Sequence, residues 1–387
     1  MDHPRALLGA ARRLREDMVA RLGALVTSES APGSLPHLVA CADLLAGWGT
    51  EVLRRSPRRV VVDGLPHLLW SAERQDVLLL GHFDTVFPIG TIRSRPFTVR
   101  GNIATGPGVC DMKAGIVQMF GALSLIADTS AVGVLLTCDE ESGSVTSRSL
   151  IEREAQRSGA VLVCEAATPD GGVKVARKGG SVYRLTVQGR AAHAGTEPHR
   201  GVNATVEVAH HILTLRTLDA AASTGTSVTP TLLSAGTTTN TVPERASVAV
   251  DVRAWTSAEL DRVDRAIRGL EPVLTEAVLA VDGGINRHPM SPELARPLLS
   301  LAQDVAARLG IPALTGAHVS GASDGNFTAA LGVPTLDGLG AVGGGAHTPE
   351  EYVDLDHLPE RTALLAGVVS RLTTPAGVGQ RTGHREP

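Results

Sequence analysis

Three short apolar runs constrain the fold of this chain of 387 residues most strongly. Each run is continuous, as is typical of a β-strand buried on both faces of a sheet. Strands that alternate with helices form mostly parallel sheets, so the sequence predicts an α/β fold with such a sheet flanked by helices. The runs are residues 77–80, 132–136 and 160–163, and the predicted helices between them are residues 112–127 and 147–157.

The pattern changes after residue 178. Residues 181–188 alternate between apolar and polar side chains, which indicates a strand with one buried face. A helix at 202–218, strands at 229–235 and 246–254, and a helix at 257–270 follow, an order typical of a small α+β unit with an antiparallel sheet. Helical and strand signals of the first kind return after residue 289, in 294–309, 333–336 and 358–372. We therefore expect a main domain in two parts, residues 1–178 and 289–387, with an inserted domain at 179–288.

The composition excludes several classes of protein. A net charge of −4 is close to balanced and gives no nucleic-acid footprint. No window approaches the roughly 18 apolar residues that span a bilayer, and residues 1–26 lack the apolar stretch of a secretory signal. The four cysteines form no C-x-x-C pair, which favours reduced thiols. We expect a cytoplasmic protein that binds neither nucleic acid nor membrane.

Acidic or imidazole side chains follow each apolar run. Because the carboxyl ends of parallel strands open on one crevice, we expect these side chains to converge there. Several close carboxylates need a cation to remain ionised together, and imidazole with carboxylate suits zinc or a similar divalent ion. A lone residue of this kind would be an ordinary loop residue, so the prediction rests on the set. Its members are His82 and Asp84 after the first run, Glu140 and Glu141 after the second, Glu165 after the third, and Asp111 at the start of the helix predicted at 112–127.

Six segments, taken in order, resemble those of a known family, the co-catalytic zinc hydrolases that include glutamate carboxypeptidase, acetylornithine deacetylase and succinyl-diaminopimelate desuccinylase. The resemblance implies a zinc-exopeptidase-like catalytic domain, an inserted α+β domain that serves as lid and dimerisation domain, and a homodimer. It spans most of the chain. The segments are residues 81–88, 106–115, 139–144, Glu165, 193–195 and 345–347.

The same resemblance implies a pair of Zn²⁺ ions, with Co²⁺ or Mn²⁺ as substitutes. Asp111 would bridge the two ions. His82 and Glu165 would complete one site, and Glu141 and His347 would complete the other.

The catalytic roles also follow from the resemblance. Glu140 would be the general base for the metal-activated water. Asp84 would support the imidazole of His82 from its far nitrogen. His193 would stabilise the oxyanion, often from the partner subunit of a dimer. Asn240 and Arg253 would hold the carboxylate of the substrate, a task that suits the planar fork of arginine.

The substrate class is left between two branches. Family members with glutamate at the Glu165 position are carboxypeptidases, acylases and deacylases, so we expect a peptide or N-acyl amino acid as the small-molecule substrate. Residues 84–88 and Arg253 favour the glutamate carboxypeptidase branch. An N-acyl-amino-acid deacylase of the acetylornithine deacetylase type is the alternative.

Three other readings fit the sequence less well. A serine hydrolase built on Ser323, Asp324 and His347 lacks the G-x-S-x-G elbow. Thiol catalysis is disfavoured because carboxylates beside the cysteines raise the thiol pKa. An inactive metal-binding regulatory relative would have lost the base or a ligand, and the chain keeps all six.

Overall fold

The computed structural model describes residues 4–220 and 225–374 of the chain. The chain divides into two compact units. The first unit comprises Met1–Val175, Pro292–Ala317 and Leu331–Pro387, and the second comprises Ala176–Ser291 and His318–Ala330. Within the described residues, no helix combines the length and apolar character needed to cross a membrane.

The helices and strands are numbered in chain order. The helices are α1 (Pro4–Arg13), α2 (Arg15–Thr27), α3 (Leu35–Leu53), α4 (Thr91–Ser94), α5 (Ala114–Ser124), α6 (Arg148–Gln156), α7 (Ala204–Ala220), α8 (Ser257–Arg268), α9 (Pro292–Leu309), α10 (Gly325–Ala330) and α11 (Leu358–Thr373). The strands are β1 (Arg58–Val62), β2 (Leu65–Trp70), β3 (Gln75–His82), β4 (Thr98–Arg100), β5 (Ile103–Thr105), β6 (Val132–Thr137), β7 (Ser158–Val163), β8 (Val173–Arg177), β9 (Gly179–Gln188), β10 (Ala192–His193), β11 (Ser227–Ala235), β12 (Thr241–Val242), β13 (Arg245–Ala254), β14 (Val278–Arg287), β15 (Gly316–Val319), β16 (Thr335–Leu336), β17 (Gly343–Gly344) and β18 (Tyr352–Asp354).

The first unit is built on a six-stranded sheet in the order β1-β2-β6-β3-β7-β16. Strands β6, β3, β7 and β16 run parallel to one another, whereas β2 is antiparallel to β6 and to β1. The α/β fold is confirmed. The sheet is mixed, however, because the hairpin β1–β2, which sequence reasoning missed, adds an antiparallel edge to the parallel part.

The parallel strands are buried on both faces, as their continuous apolar runs predicted. Every residue of β6 is buried, as are nearly all of β3. Helices α5 and α11 pack against β3, α6 against β7, and α9 against β16. Helices therefore cover the sheet. The packed sheet in turn holds the ends of its strands in fixed positions.

A second, four-stranded sheet of the first unit has the order β17-β18-β5-β4 and is antiparallel. The loop after β5 contains Asp111, and the loop between β17 and β18 contains His347. The helix predicted to start at Met112 begins two residues later, at Ala114, because Asp111 and Met112 have non-helical backbone angles.

The second unit has an antiparallel sheet in the order β11-β13-β9-β14. Helices α7 and α8 pack on it, and the buried side chains of β9 and β13, such as Tyr183 and Val250, form the core beneath them. The start of α8 follows from its sequence, since the Thr256 hydroxyl accepts a hydrogen bond from the Glu259 amide, as in a capping box.

Two features of the second unit differ from the sequence expectation. Strand β14 was missed, because Gly283 and Gly284 interrupt its apolar pattern. The segment His318–Ala330, expected in the second part of the main domain, groups with the second unit. The inserted domain at residues 179–288 remains a prediction as regards its function.

Candidate metal centre

The carboxyl ends of the parallel strands lie side by side in the first unit. Strand β3 lies between β6 and β7 and ends at His82, while Glu141 follows β6 and Glu165 follows β7. The two loops of the small sheet bring Asp111 and His347 to the same place. Five predicted ligands thus form two overlapping groups, His82–Asp111–Glu165 and Asp111–Glu141–His347, whose nitrogen and oxygen atoms lie within 4.8 Å of one another in each group.

Asp111 is shared between the two groups through its two oxygens. Its Oδ1 lies 3.2 Å from Nε2 of His82, and its Oδ2 lies 3.3 Å from Nε2 of His347. Nε2 of each histidine has one further carboxylate partner: Glu165 lies 3.3 Å from Nε2 of His82, and Glu141 lies 3.1 Å from Nε2 of His347. The arrangement is therefore two imidazole–carboxylate pairs joined by one carboxylate.

The ring of His82 is oriented by the residue two positions further on. Its Nδ1 lies 3.1 Å from the backbone carbonyl oxygen of Asp84 and 3.4 Å from the Asp84 carboxylate. A proton on Nδ1 directs the lone pair of Nε2 towards Asp111 and Glu165. The backbone carbonyl is thus the nearer acceptor, in addition to the predicted carboxylate.

The carboxylate of Asp84 also holds the turn that carries Glu140 and Glu141. It accepts hydrogen bonds from the backbone N–H of Glu140, at 3.3 Å, and of Glu141, at 3.0 Å. Asp84 is fully buried, so these bonds offset part of the cost of burying its charge. This contact between the ends of β3 and β6 could not be predicted from the sequence.

The charges of the cluster shift the pKa values of both histidines. Hydrogen bonds to Asp111 and Glu141 raise the pKa of His347 to about 10, against the effect of burial. Burial lowers the pKa of His82, but hydrogen bonds to Asp111, Asp84 and Glu165 outweigh it and raise that pKa well above the usual value. The carboxylates thus favour positive charge at this place.

The donor set fits divalent metal ions. Three carboxylates and two imidazoles are the ligand types that zinc and similar ions prefer. The exposure of the ligands also fits, because His82 is 2% exposed whereas the side chain of His347 is 51% exposed. One side of the cluster is enclosed in the protein, and the other is open to solvent and substrate.

Three predicted site residues lie in the second unit. Nδ1 of His193 accepts the backbone N–H groups of Gly195 and Thr196, so the neutral ring carries its proton on Nε2, where it can donate. The backbone carbonyl of Asn240 accepts the N–H of Ala194 at 2.9 Å. The structure therefore brings His193 and Asn240 together within this unit.

Arg253 lies elsewhere in the second unit. It belongs to the final residues of β13, whereas Asn240 precedes β12. Its Nε and Nη2 donate to the Asp251 carboxylate at 2.9 and 2.8 Å, so a substrate carboxylate would share this guanidinium with Asp251.

The structure does not support the serine and thiol mechanisms that the sequence analysis disfavoured. Asp324 pairs with Arg287 at 3.1 Å, and the Ser323 hydroxyl accepts the N–H of Gly325. Burial raises the pKa of the thiols of Cys110, Cys138 and Cys164, and nearby carboxylates raise it further. These cysteines are poor nucleophiles, as the sequence predicted.

Two buried carboxylates near the centre were missed from the sequence. Asp139 accepts hydrogen bonds from Thr146 and Ser147, and Glu351 accepts three backbone N–H groups of the loop that contains Asp111. Their neighbours Glu140 and Glu350 are also acidic, and no local pattern distinguishes the buried member of each pair.

Comparison with known proteins identifies the chain as a metal-dependent hydrolase that acts on C–N bonds, and the imidazole–carboxylate cluster is its candidate metal centre. More specifically, the chain belongs to peptidase family M20/M25/M40, whose model matches residues 78–371. The resemblance found in the sequence motifs is thereby confirmed. Membership of this family supports metal-dependent hydrolysis of amide bonds in amino-acid derivatives as the activity of the chain.

Individual relatives match over most of the chain. Carboxypeptidase G2 of Pseudomonas sp. (strain RS-16) is 29% identical over 385 residues, which cover 95% of this chain and 92% of the relative. Succinyl-diaminopimelate desuccinylase of Gluconacetobacter diazotrophicus is 29% identical, over 79% and 81% of the two chains. The structure of the YXEP protein of Bacillus subtilis, described as a dinuclear metal-binding peptidase of the M20 family, superposes with a TM-score of 0.63 at 14% identity, over 93% of this chain and 99% of that one.

Proposed function

We propose that this chain is a carboxypeptidase-type hydrolase with a dinuclear zinc centre, which cleaves the amide bond of a C-terminal or N-acylated amino acid. The observation that supports the proposal most is the sharing of the Asp111 carboxylate, with one oxygen towards His82 and the other towards His347. A bridging carboxylate between two ligand pairs suits two ions better than one. The dinuclear relative supports the same number.

Five residues would hold the ions: His82, Asp111, Glu141, Glu165 and His347. The ions, when bound, would acidify water and polarise the amide carbonyl. Glu140 takes the proton of the attacking water. It then delivers that proton to the departing amine nitrogen while the hydroxyl oxygen stays on the acyl carbon. Glu140 is suited to this role because Asp84 holds its backbone N–H together with that of Glu141, so that one turn carries both the base and a metal ligand.

By the family resemblance, we assign the remaining roles to three residues of the second unit, with His193 donated by the partner subunit of a dimer. His193 carries its proton on Nε2, from which it would donate a hydrogen bond to the oxyanion as the carbonyl becomes tetrahedral. Asn240 and Arg253 bind the substrate carboxylate. Residues 179–288 would then act as an inserted lid.

A homodimer forms part of the proposal. Strand β11 is an outer strand of its sheet, and such edges pair readily with another chain. Leu232 and Leu233 on β11 are 67% and 58% exposed, and Leu213 on α7 is 65% exposed. Apolar side chains on an edge strand and on the neighbouring helix suit an interface.

Two substrate classes compete. The relative named carboxypeptidase G2 favours release of a C-terminal amino acid, and the relative named succinyl-diaminopimelate desuccinylase favours removal of an N-acyl group. The first is our principal proposal, and the second is the alternative.

The test is a hydrolysis screen of zinc- or cobalt-loaded protein over dipeptides, folyl-type glutamate conjugates and N-acyl amino acids. We expect cleavage of at least one conjugate that carries a free α-carboxylate. Glu140→Gln should lose turnover and keep its metal, whereas the exposed control Glu51→Gln should match wild type. Unchanged turnover in Glu140→Gln would remove Glu140 as the base, and activity on N-acyl amino acids alone would favour the deacylase.

A further inference from the structure

Glu351 is a buried carboxylate that accepts three backbone hydrogen bonds from one loop. Its Oε1 accepts the backbone N–H groups of Cys110, at 2.8 Å, and Asp111, at 2.9 Å. Its Oε2 accepts the N–H of Gly108 at 2.8 Å. A carboxylate has about four acceptor positions, so three of them are directed to a single turn. The side chain itself is fully buried.

The loop needs such an acceptor because of its backbone shape. Gly108 adopts a left-handed conformation, with φ of 71°, and a Cβ there would come within 2.3 Å of the Thr85 side chain. Successive N–H groups of the turn then point into one concavity, which attracts an anion. Without one, three backbone N–H donors of the loop would lack partners, which would destabilise this conformation of the loop.

The same residue belongs to the loop of another proposed ligand. Glu351 lies four residues after His347, in the connection between β17 and β18. Its own N–H donates to the carbonyl of Thr348, and the next residue, Tyr352, pairs with Thr105 of β5. One side chain thus ties the loop of His347 to the loop of Asp111.

We propose that Glu351 is a positioning residue of the metal centre, which fixes the backbone of Asp111 and thereby the direction of the two Asp111 oxygens. The inference rests on the proposed function, in which Asp111 bridges the ions. Its distinguishing consequence concerns metal binding: a merely structural carboxylate would affect folding and leave zinc affinity and the coordination spectrum unchanged.

The test compares Glu351→Gln with its neighbour Glu350→Gln, since Glu350 is exposed. Glutamine has nearly the same size, but an NH₂ group replaces one of the two acceptor oxygens. At least one of the three backbone N–H groups then faces another donor and loses its hydrogen bond. We expect zinc affinity, measured by competition with a chromophoric chelator, to fall about 10–100-fold. The turnover number kcat should fall by a similar factor with KM nearly unchanged, and the visible absorption of the Co²⁺-loaded protein should shift. Glu350→Gln should behave as wild type in all three measurements.

A third variant, Asp111→Asn, tests the proposed metal centre separately from the proposed role of Glu351. If Asp111→Asn keeps wild-type zinc binding and turnover, the proposed metal centre itself is wrong. If Asp111→Asn loses zinc while folded Glu351→Gln keeps wild-type zinc affinity, kcat and Co²⁺ spectrum, the role of Glu351 is overturned.

A conservative variant covers the case in which Glu351→Gln does not fold. Glu351→Asp keeps both oxygens on a shorter side chain that reaches fewer of the three N–H groups. We expect the same changes in zinc affinity, kcat and Co²⁺ spectrum with a smaller amplitude. Wild-type values for all three in a folded Glu351→Asp would contradict the proposal.

Discussion

At the scale of single residues, protons and metal ions compete for the same atoms. Nε2 of both His82 and His347 faces carboxylates, which keep the rings protonated in the metal-free protein. Metal ions bind only the unprotonated nitrogen. The centre should therefore exchange protons for metal at neutral pH.

This exchange predicts a pH dependence of zinc affinity. Because the pKa of His347 is raised to about 10 and that of His82 is also raised, zinc binding near neutral pH should release protons, and zinc affinity should rise with pH up to that value. Isothermal titration in buffers of different ionisation enthalpy measures the number of protons released. A binding heat that is independent of the buffer would contradict the raised pKa values.

The ligand types and the support of His82 by Asp84 could be predicted from the sequence, but the contacts that hold the ligand loops could not. Each motif at a strand end predicts its own ligand, because the residue type and its position after the strand are both visible in the sequence. Glu351 and Gly108, by contrast, are separated by 243 positions along the chain. A contact of that kind depends on how β5 pairs with β18, and no local periodicity encodes it.

At the scale of elements, the turn after β6 determines where Glu140 and Glu141 point. Oδ2 of Asp139 accepts hydrogen bonds from the Thr146 N–H and hydroxyl and from the Ser147 N–H. Among the described residues, Oδ1 of Asp139 has no hydrogen-bond partner. One oxygen therefore closes the loop from 139 to 147.

A pair of substitutions separates the acceptor from the charge of Asp139. Asp139→Ala leaves these donors unpaired and should lower the free energy of unfolding by about 1–3 kcal/mol, with a loss of kcat. Asp139→Asn keeps an acceptor oxygen and should stay close to wild type. Urea unfolding of metal-free protein measures both. Equal losses in the two variants would show that the charge matters instead.

The elements themselves were predictable to different degrees. The buried strands β3, β6 and β7 follow from continuous apolar runs. Strand β14 contains two glycines, which obscure its pattern. Prediction of the β1–β2 hairpin requires that Asp63 and Gly64, both with positive φ, be recognised as a type I′ turn. That turn signal is present in the sequence and was overlooked.

At the scale of the whole molecule, the five proposed metal ligands lie in the first unit and His193 lies in the second. The change in sequence pattern after residue 178 predicts an inserted domain at residues 179–288, and the family resemblance implies the same arrangement. The segment His318–Ala330 was misplaced because chain order gives no information on which unit a returning segment joins.

The proposed dimer can be tested at the two edges of the sheet in the second unit. Leu232→Glu on β11 should yield monomers with strongly reduced turnover, because His193 would come from the partner subunit. Val278→Glu, on the opposite edge strand β14 and 61% exposed, is the matched control and should remain dimeric. Sedimentation velocity and kcat measure both effects. A fully active Leu232→Glu monomer would show that each chain is complete alone.

The central claim is that one carboxylate, Asp111, joins two metal sites. The most direct measurement is the amount of zinc bound per chain in wild type and in Asp111→Asn, after dialysis against buffered zinc. We predict two ions per chain in wild type and loss of tightly bound zinc in the variant, together with loss of hydrolysis. Two tightly bound ions in a folded Asp111→Asn would contradict the account.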